Sequence, residues 1–303
     1  MKLKIKKSKI KHNSKFNWLF HIFNYTIFFI FTIATIFPFY YLLINTISGN
    51  DLVQSGAINF YPRKLHLQNF IALKHVNDLG QSFLITIGRT IIGTILMVLA
   101  STFLGYIITK KEMKARKFWY RFLIITMYFN AGLIPWYINM SSLGLTDNFW
   151  GYIIPGLISP FNVILVKTYI ESIPAELEES AYMDGAGYFM AFRKIIWPLS
   201  IPIIANIAIF GAVGHWNSFI DSLILMQNTP SLYTLQHRLY VYLTTTTNLE
   251  SLMQSSPSSV LNMFNAKVIK YTISMVTIIP ILIFYPFMQR YFEEGIMLGA
   301  VKG

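Results

Sequence analysis

Five of the thirteen acidic residues, Glu171, Glu176, Glu178, Glu179 and Asp184, fall within fourteen positions. A carboxylate at an interface accepts a charge-assisted hydrogen bond from an arginine. The cluster is therefore a candidate docking surface. Pro174 suits the first turn of a helix, where a missing N–H costs nothing. The early glutamates then sit at the positive end of that helix. Leu177 and Ala181, four apart, form a narrow apolar stripe. Gly185 and Gly187 permit a sharp change of direction. A second helical run, 188–197, ends at Pro198. The stretch reads as a helix–turn–helix lying between two apolar segments. An ordinary amphipathic loop folded back on its own protein fits the same pattern.

Groups that would support catalysis do not assemble. No G-x-x-x-x-G-K-[ST] phosphate cradle occurs, so any ATP-driven step must be carried out by another polypeptide. His12, His21, His66, His75, His215 and His237 lack metal-ligand spacing. No G-x-S-x-G elbow occurs, and there is no cysteine. The chemistry that remains is polar residues inside apolar segments, which are functional candidates by default. Trp216, Asn217 and Asp221 supply an aromatic face and hydrogen-bonding groups, as a sugar contact requires. Asn217 and Asp221, four apart, share one face of a helix. The same residues also suit a membrane interface. Arg89 either pairs with an acid such as Asp221 or snorkels to the outer interface. Snorkelling is expected, because Arg89 is placed near the outer end of its segment. Asn130-Ala131-Gly132 is expected to let helices approach closely, the alternative being a broken-helix substrate site.

The elements that hold these residues are apolar. Of 303 residues, 54% are hydrophobic and 13% charged, and the mean hydropathy is positive. That is a membrane composition. A span needs about 20 mostly apolar residues, and six stretches qualify: 19–44, 82–109, 118–140, 150–170, 199–226 and 268–288. The third is interrupted by Asn130, Gly132 and Pro135. The net charge of +12 is not a nucleic-acid signature here, because the charges follow the loops. Residues 1–15 carry seven lysines, and residues 110–121 carry six Lys and Arg. With Lys167, Arg193, Lys194, Arg290 and Lys302, eighteen basic residues lie on one side. Six lie on the other, and Arg89 falls within a span. Positive charge marks the cytoplasmic side, so both termini and the acidic loop are expected there. The basic tail would rest near anionic lipid heads. Of the outer loops, 227–266 is the longest. Its Leu235, Leu239, Tyr242, Leu249, Leu252 and Met253 favour short helices within a Thr- and Ser-rich background.

The pattern Glu179-Ser180-Ala181, three residues, Gly185, nine residues, Ile195-Ile196-Trp197-Pro198 resembles the signature loop of binding-protein-dependent ABC importer permeases. Ser180 and Trp197 depart mildly from the usual Ala and Leu. Asp184-Gly185-Ala186 and the closing Gly299-Ala300-Val301-Lys302-Gly303 resemble carbohydrate permeases of the maltose-G type. Phe129 to Pro135 and Tyr285 to Phe292 resemble a branch importing oligosaccharides cut from polysaccharides.

The resemblance implies an all-α polytopic protein of the type I importer permease fold with six transmembrane helices in a bacterial plasma membrane. A basic tail (1–16) and a first helix with its outer loop (17–81) would precede the transmembrane domain (82–292). That domain would hold a coupling loop (172–198) and an outer loop (227–266), and a cytoplasmic tail (293–303) would follow. The implied partners are a second, different permease, two ATPase subunits that carry ATP and Mg, an extracytoplasmic solute-binding protein and the oligosaccharide. This chain would bind no cofactor. Glu178, Glu179, Ser180, Ala181, Asp184, Gly185, Ala186 and Pro198 would contact the ATPase, as would Val301, Lys302 and Gly303. An ion-coupled transporter or channel is the alternative; it would need buried titratable pairs in the spans.

Overall fold

A computed structural model describes residues 14–73, 78–244 and 266–300. Residues 1–13, with six of the seven tail lysines, the outer-loop residues Leu249, Leu252 and Met253, and Val301, Lys302 and Gly303 lie outside the described residues, while Lys15 falls in the first helix. Among those residues the chain is all helix and turn, with no strand.

Helix α1 (Ser14–Thr46) leads through two short helices, α2 (Asn50–Gln54) and α3 (Gln68–Ala72), to the 31-residue α4 (Leu79–Thr109). Next come α5 (Arg116–Tyr128), α6 (Leu133–Ser142) and α7 (Pro160–Ile170). Three short helices follow: α8 (Glu176–Met183), α9 (Tyr188–Ala191) and α10 (Trp197–Leu199). The chain then runs through α11 (Ile201–Asn217), α12 (Ile220–Leu225), α13 (Leu235–Thr244) and α14 (Ala266–Ala300).

Three helical stretches are long and apolar enough to cross a membrane alone: Trp18–Thr46, Leu79–Thr109 and Lys267–Pro286. Three bent pairs raise the number to six. They are α5 with α6 (118°), the turns of Phe149–Gly156 with α7 (44°), and Tyr188–Leu199 with α11 (80°). Six apolar stretches were expected, but three are broken, each for a local reason. Between α5 and α6, Gly132 adopts φ +90, and its N–H is accepted by Asn130 Oδ1 at 2.8 Å. Asn130, Ala131 and Gly132 are exposed. They therefore mark a break, not the close helix contact expected of them. In the fourth stretch Pro155 and Pro160 end regular bonding, and Ser159 Oγ caps α7 by accepting from Asn162 N at 3.4 Å.

The second helical run of the acidic loop goes past Pro198 to Leu199, beyond the expected stop. A π-turn, Phe192–Ile196, precedes it. A widened turn of this kind accommodates a proline ring and its missing donor. The fifth stretch ends early, at Asn217, because Ser218 turns extended (ψ 133). Asn217 and Asp221 thus do not share one helix.

Helix α4 is the axis of the packing, with α11 and α7 laid along it. Close approach depends on small residues, as is usual between membrane helices. A Cβ on Gly93 would lie 2.5 Å from His215 Nε2, and one on Gly211 2.6 Å from Met97 Cε. At Gly105 it would meet Val166 Cγ1 at 2.8 Å and the Lys167 backbone nitrogen at 3.2 Å. Tyr106, Val166, Ile170, Phe192, Ile196 and Ile207 build one buried cluster at this seam. A second, with Met140, Tyr152, Leu225 and Met226, gathers α6 and α12. A third joins the end of α1 to α13 and α14 through Ile44, Leu235 and Ile273. Most of α1 is otherwise exposed.

The two ends of α4 differ. At one end Arg116 reaches Glu171 at 2.9 Å, and Lys167 meets the same carboxylate at 2.7 Å. The basic 110–121 loop and the acidic loop therefore share that end. At the other end Asp78 pairs with Arg238 at 3.2 Å, and Thr86 Oγ1 accepts from Leu235 N at 2.8 Å.

The Gly105 seam leads to a stability prediction. Gly105→Ala should destabilise the fold by about 1–3 kcal/mol, because the obstructing atoms include backbone. Gly214→Ala, where nothing lies within 4 Å, should leave it unchanged. Thermal melts of both variants in nanodiscs check this, and equal melting temperatures would refute the seam.

Candidate functional site

The acidic loop is built on α8. Its N-terminal turn holds Glu176, Glu178 and Glu179, which suits the helix dipole. Its C-terminus closes in a Schellman motif: Ala186 N donates to Ala181 O at 2.9 Å and Gly185 N to Tyr182 O at 3.0 Å. Gly185 takes φ +82, a left-handed conformation that glycine adopts without strain. The expected bend is therefore present at the expected residue.

Glu178 and Glu179, adjacent in sequence, face opposite ways. Glu178 turns into the protein. Its Oε1 accepts from Tyr106 OH at 2.6 Å and Tyr182 OH at 2.5 Å, and Lys110 Nζ forms an ion pair with it. The Tyr188 carbonyl lies 3.1 Å from the same Tyr106 hydroxyl. The carboxylate thus ties α8, the first arm of the loop, to the end of α4, and the second arm meets the same Tyr106 hydroxyl through the Tyr188 carbonyl. Phe192 reinforces the tie, its ring 5.0 Å from that of Tyr106 and 5.5 Å from that of Phe103. Burial pushes the Glu178 carboxyl up, but hydrogen bonds from Lys110, Tyr106 and Tyr182 outweigh it and hold the group below its ordinary value. Burial, then the adjacent carboxylate, push Tyr182 up to about 12, so its hydroxyl remains a donor at neutral pH.

Glu179, Ser180, Asp184 and Gly185 are exposed, as is Pro198, while Ala181 and Ala186 are half-buried. Beside them Met183 is 88% exposed and Phe189 67%. The outward surface thus combines carboxylates, small residues and a few large apolar side chains. The inward role of Glu178 had a sequence signal: Tyr106 and Lys110 are four apart, as are Glu178 and Tyr182. Each pair therefore shares a helical face.

The polar residues of the fifth stretch form a second centre. Arg89 is 1% exposed and does not snorkel. It pairs with Asp221 through Nη1–Oδ1 at 3.2 Å and Nη2–Oδ2 at 2.5 Å. Its guanidinium carbon lies 4.4 Å from the centre of the Tyr152 ring. Asp221 Oδ1 also accepts from Ser218 Oγ and Ser222 N, both at 2.9 Å. The helix begins three residues before the expected Ser82, which places Arg89 deeper than the sequence suggested. The break at Ser218 then swings Asp221 onto it. Trp216 is buried, donates to Thr277 O at 3.0 Å and meets Phe83 edge-on. Asn217 is exposed; its amide donates to Val213 O at 3.0 Å and accepts from Gln236 at 3.1 Å. The three sequence-selected residues are thus not gathered on one surface. Among the described residues, no group of three or more His, Cys, Asp or Glu could hold a metal ion.

Comparison with known proteins accounts for this arrangement. The chain is 30% identical to the protein LplC of Bacillus subtilis (strain 168), over 96% of this chain and 98% of that one. It is also 30% identical to the polygalacturonan/rhamnogalacturonan transport system permease protein YtcP of the same organism, over 95% and 99%. Among solved structures, a chain of a bacterial ABC transporter involved in the import of the acidic polysaccharide alginate superposes with a TM-score of 0.82. The two are 27% identical, and the match covers 93% of this chain and 99% of that one. Residues 8–298 match the model of the binding-protein-dependent transport system inner membrane component. With six apolar spans and an elbow loop at one end of the bundle, this chain is a member of that family of ABC importer permeases.

Proposed function

We propose that this chain is the transmembrane subunit of an ATP-driven importer that moves an oligosaccharide into the cytoplasm. It works beside a second, homologous permease, two ATPase subunits that hold ATP and Mg, and an extracytoplasmic binding protein. The observation that carries the reading is the two-faced elbow. Glu178 fastens it to α4, while Glu179, Ser180, Asp184 and Gly185 are presented outward. Motion imposed on the outward face therefore passes to α4 as a rigid displacement, the requirement for a two-state switch. Glu179 anchors the ATPase by accepting a charge-assisted hydrogen bond, and the small Ser180 and Ala181 let that subunit seat closely. Val301, Lys302 and Gly303 add a second contact.

The relatives named for polygalacturonan and alginate support oligosaccharide as the cargo. Both termini and the elbow are assigned to the cytoplasm on the basic-residue count. Among the described residues of the spans, the ion-coupled alternative finds one buried pair, Arg89 with Asp221, but a guanidinium does not release its proton.

The test is sugar-stimulated ATP hydrolysis by the complex purified from native membranes and reconstituted with its binding protein. Glu179→Lys should abolish stimulation while the chain still inserts and co-purifies with the second permease. Full stimulation in that variant would refute docking at Glu179.

The internal tether is tested separately by hydrogen exchange across 176–191. Glu178→Gln should speed exchange about tenfold, the loss of one charge-assisted bond. Because the Glu178 pKa is depressed in the folded state, its contribution is complete above the ordinary carboxylate value. It is lost only as pH falls below the ordinary carboxylate range and through the depressed value. Wild-type exchange in this segment, corrected for the intrinsic rate, should therefore be flat from neutrality to pH 5. A rise across that window would contradict the tether.

A further inference from the structure

A cavity of about 460 Å³ opens beside the Arg89–Asp221 pair, with Trp136, Asn162, Phe210 and His215 on its walls. It runs along α4 from Arg89 to Met97, on either side of Thr94, the middle residue of that 31-residue helix. Sites in secondary transporters lie near the same depth. The walls come from α4, α6, α7, α11, α12 and the turns of Phe149–Gly156, so movement of the bundle reshapes the space.

Its chemistry is specific. Asn162 is 4% exposed, and its amide donates only to Met97 Sδ, at 3.3 Å. A thioether is a weak acceptor, so a hydroxyl oxygen entering the cavity would be a better partner. The aromatic groups Trp136 and Phe210 bring flat apolar faces, suited to the C–H face of a sugar ring. The His215 ring is wedged against Gly93, where a Cβ would sit 2.5 Å from its Nε2, and is held rigidly at the wall. The Arg89 charge is matched by Asp221, which meets both Nη atoms, and Nη1 also donates to Ser218 O at 3.3 Å; its Nε is buried without a protein partner, an N–H that a neutral hydroxyl oxygen can take. Among the described residues the formal charges on the lining, Arg89 and Asp221, thus cancel each other.

We propose that this cavity holds an uncharged portion of the transported oligosaccharide. One ring lies against Trp136, and its hydroxyl accepts from Asn162. The proposal rests on the importer reading and adds residues and selectivity to it. Any carboxylate on the cargo is read by the binding protein or the second permease, not by Arg89.

The test uses the intact importer in nanodiscs with its binding protein, trapped with ADP and vanadate. The probe is a mixed oligosaccharide hydrolysate of pectin, arabinan and galactan, and retained sugar is identified by mass spectrometry. Asn162→Ala and Trp136→Ala should each lower retained sugar about tenfold, the loss of one contact, with Trp136→Phe restoring most of it. The double variant Arg89→Gln, Asp221→Asn, which alters the wall and so can change the total retained, should keep the wild-type ratio of uronate-bearing to neutral sugars. Full retention in both alanine variants would overturn the site. Selective loss of uronate-bearing species in the double variant would overturn its neutrality. A wild-type complex whose ATP hydrolysis ignores the loaded binding protein would fail the importer reading instead.

Discussion

Two helices can be drawn against a third only where side chains do not hold them apart, and this molecule depends on that constraint along α4. Gly93 and Gly105 on α4, and Gly211 on α11, leave no room for even one added carbon. Within a bilayer there is little hydrophobic force between helices, so contact of this kind supplies much of the cohesion. Helix α4 also runs unbroken for 31 residues, while α7 and α11 each belong to a bent pair. One end of that helix carries Tyr106 and Lys110, which grip the elbow; nearer the other end, Arg89 grips Asp221. The two polar centres are thus mounted on one rod.

Each centre follows the same rule. A charge placed away from water must be compensated. Glu178 Oε1 has three donors and the Asp221 carboxylate four, so much of each charge is met within the protein. The compensation fixes direction as well as energy. Glu178 sets which face of α8 turns inward, and this leaves Glu179 outward. Asp221 sets where the chain leaves α11, and this shapes the cavity wall. Breaking either pair by removing one partner would leave a charge that the surroundings cannot solvate.

Much of this was legible in the residues. The six apolar stretches, the elbow and the bend at Gly185 are local properties, written in hydropathy, glycine and proline. The break at Asn130 to Gly132 carried its own interruption in the text. The break at Ser218 did not: no glycine or proline lies in 215–226, and Asn217, Ser218, Asp221 and Ser222 read equally well as a polar patch within one continuous span. Arg89 was misjudged for a related reason. Its depth depends on where α4 begins, and its partner depends on a turn that hydropathy does not report. The four-residue spacings of Tyr106 with Lys110 and of Glu178 with Tyr182 marked each pair, but joining the two pairs, about 70 residues apart, needed the tertiary arrangement.

Gly185 takes φ +82, yet a Cβ there would touch nothing within 4 Å. The constraint at this position is therefore one of handedness, not of bulk. Every L-amino acid meets it, however small, and alanine gains no advantage from its size. Tolerance should follow ease of entry into the left-handed region, with asparagine near the top and the β-branched residues at the bottom. The elbow is kept by the mirror symmetry of one achiral residue, while the space around it remains open.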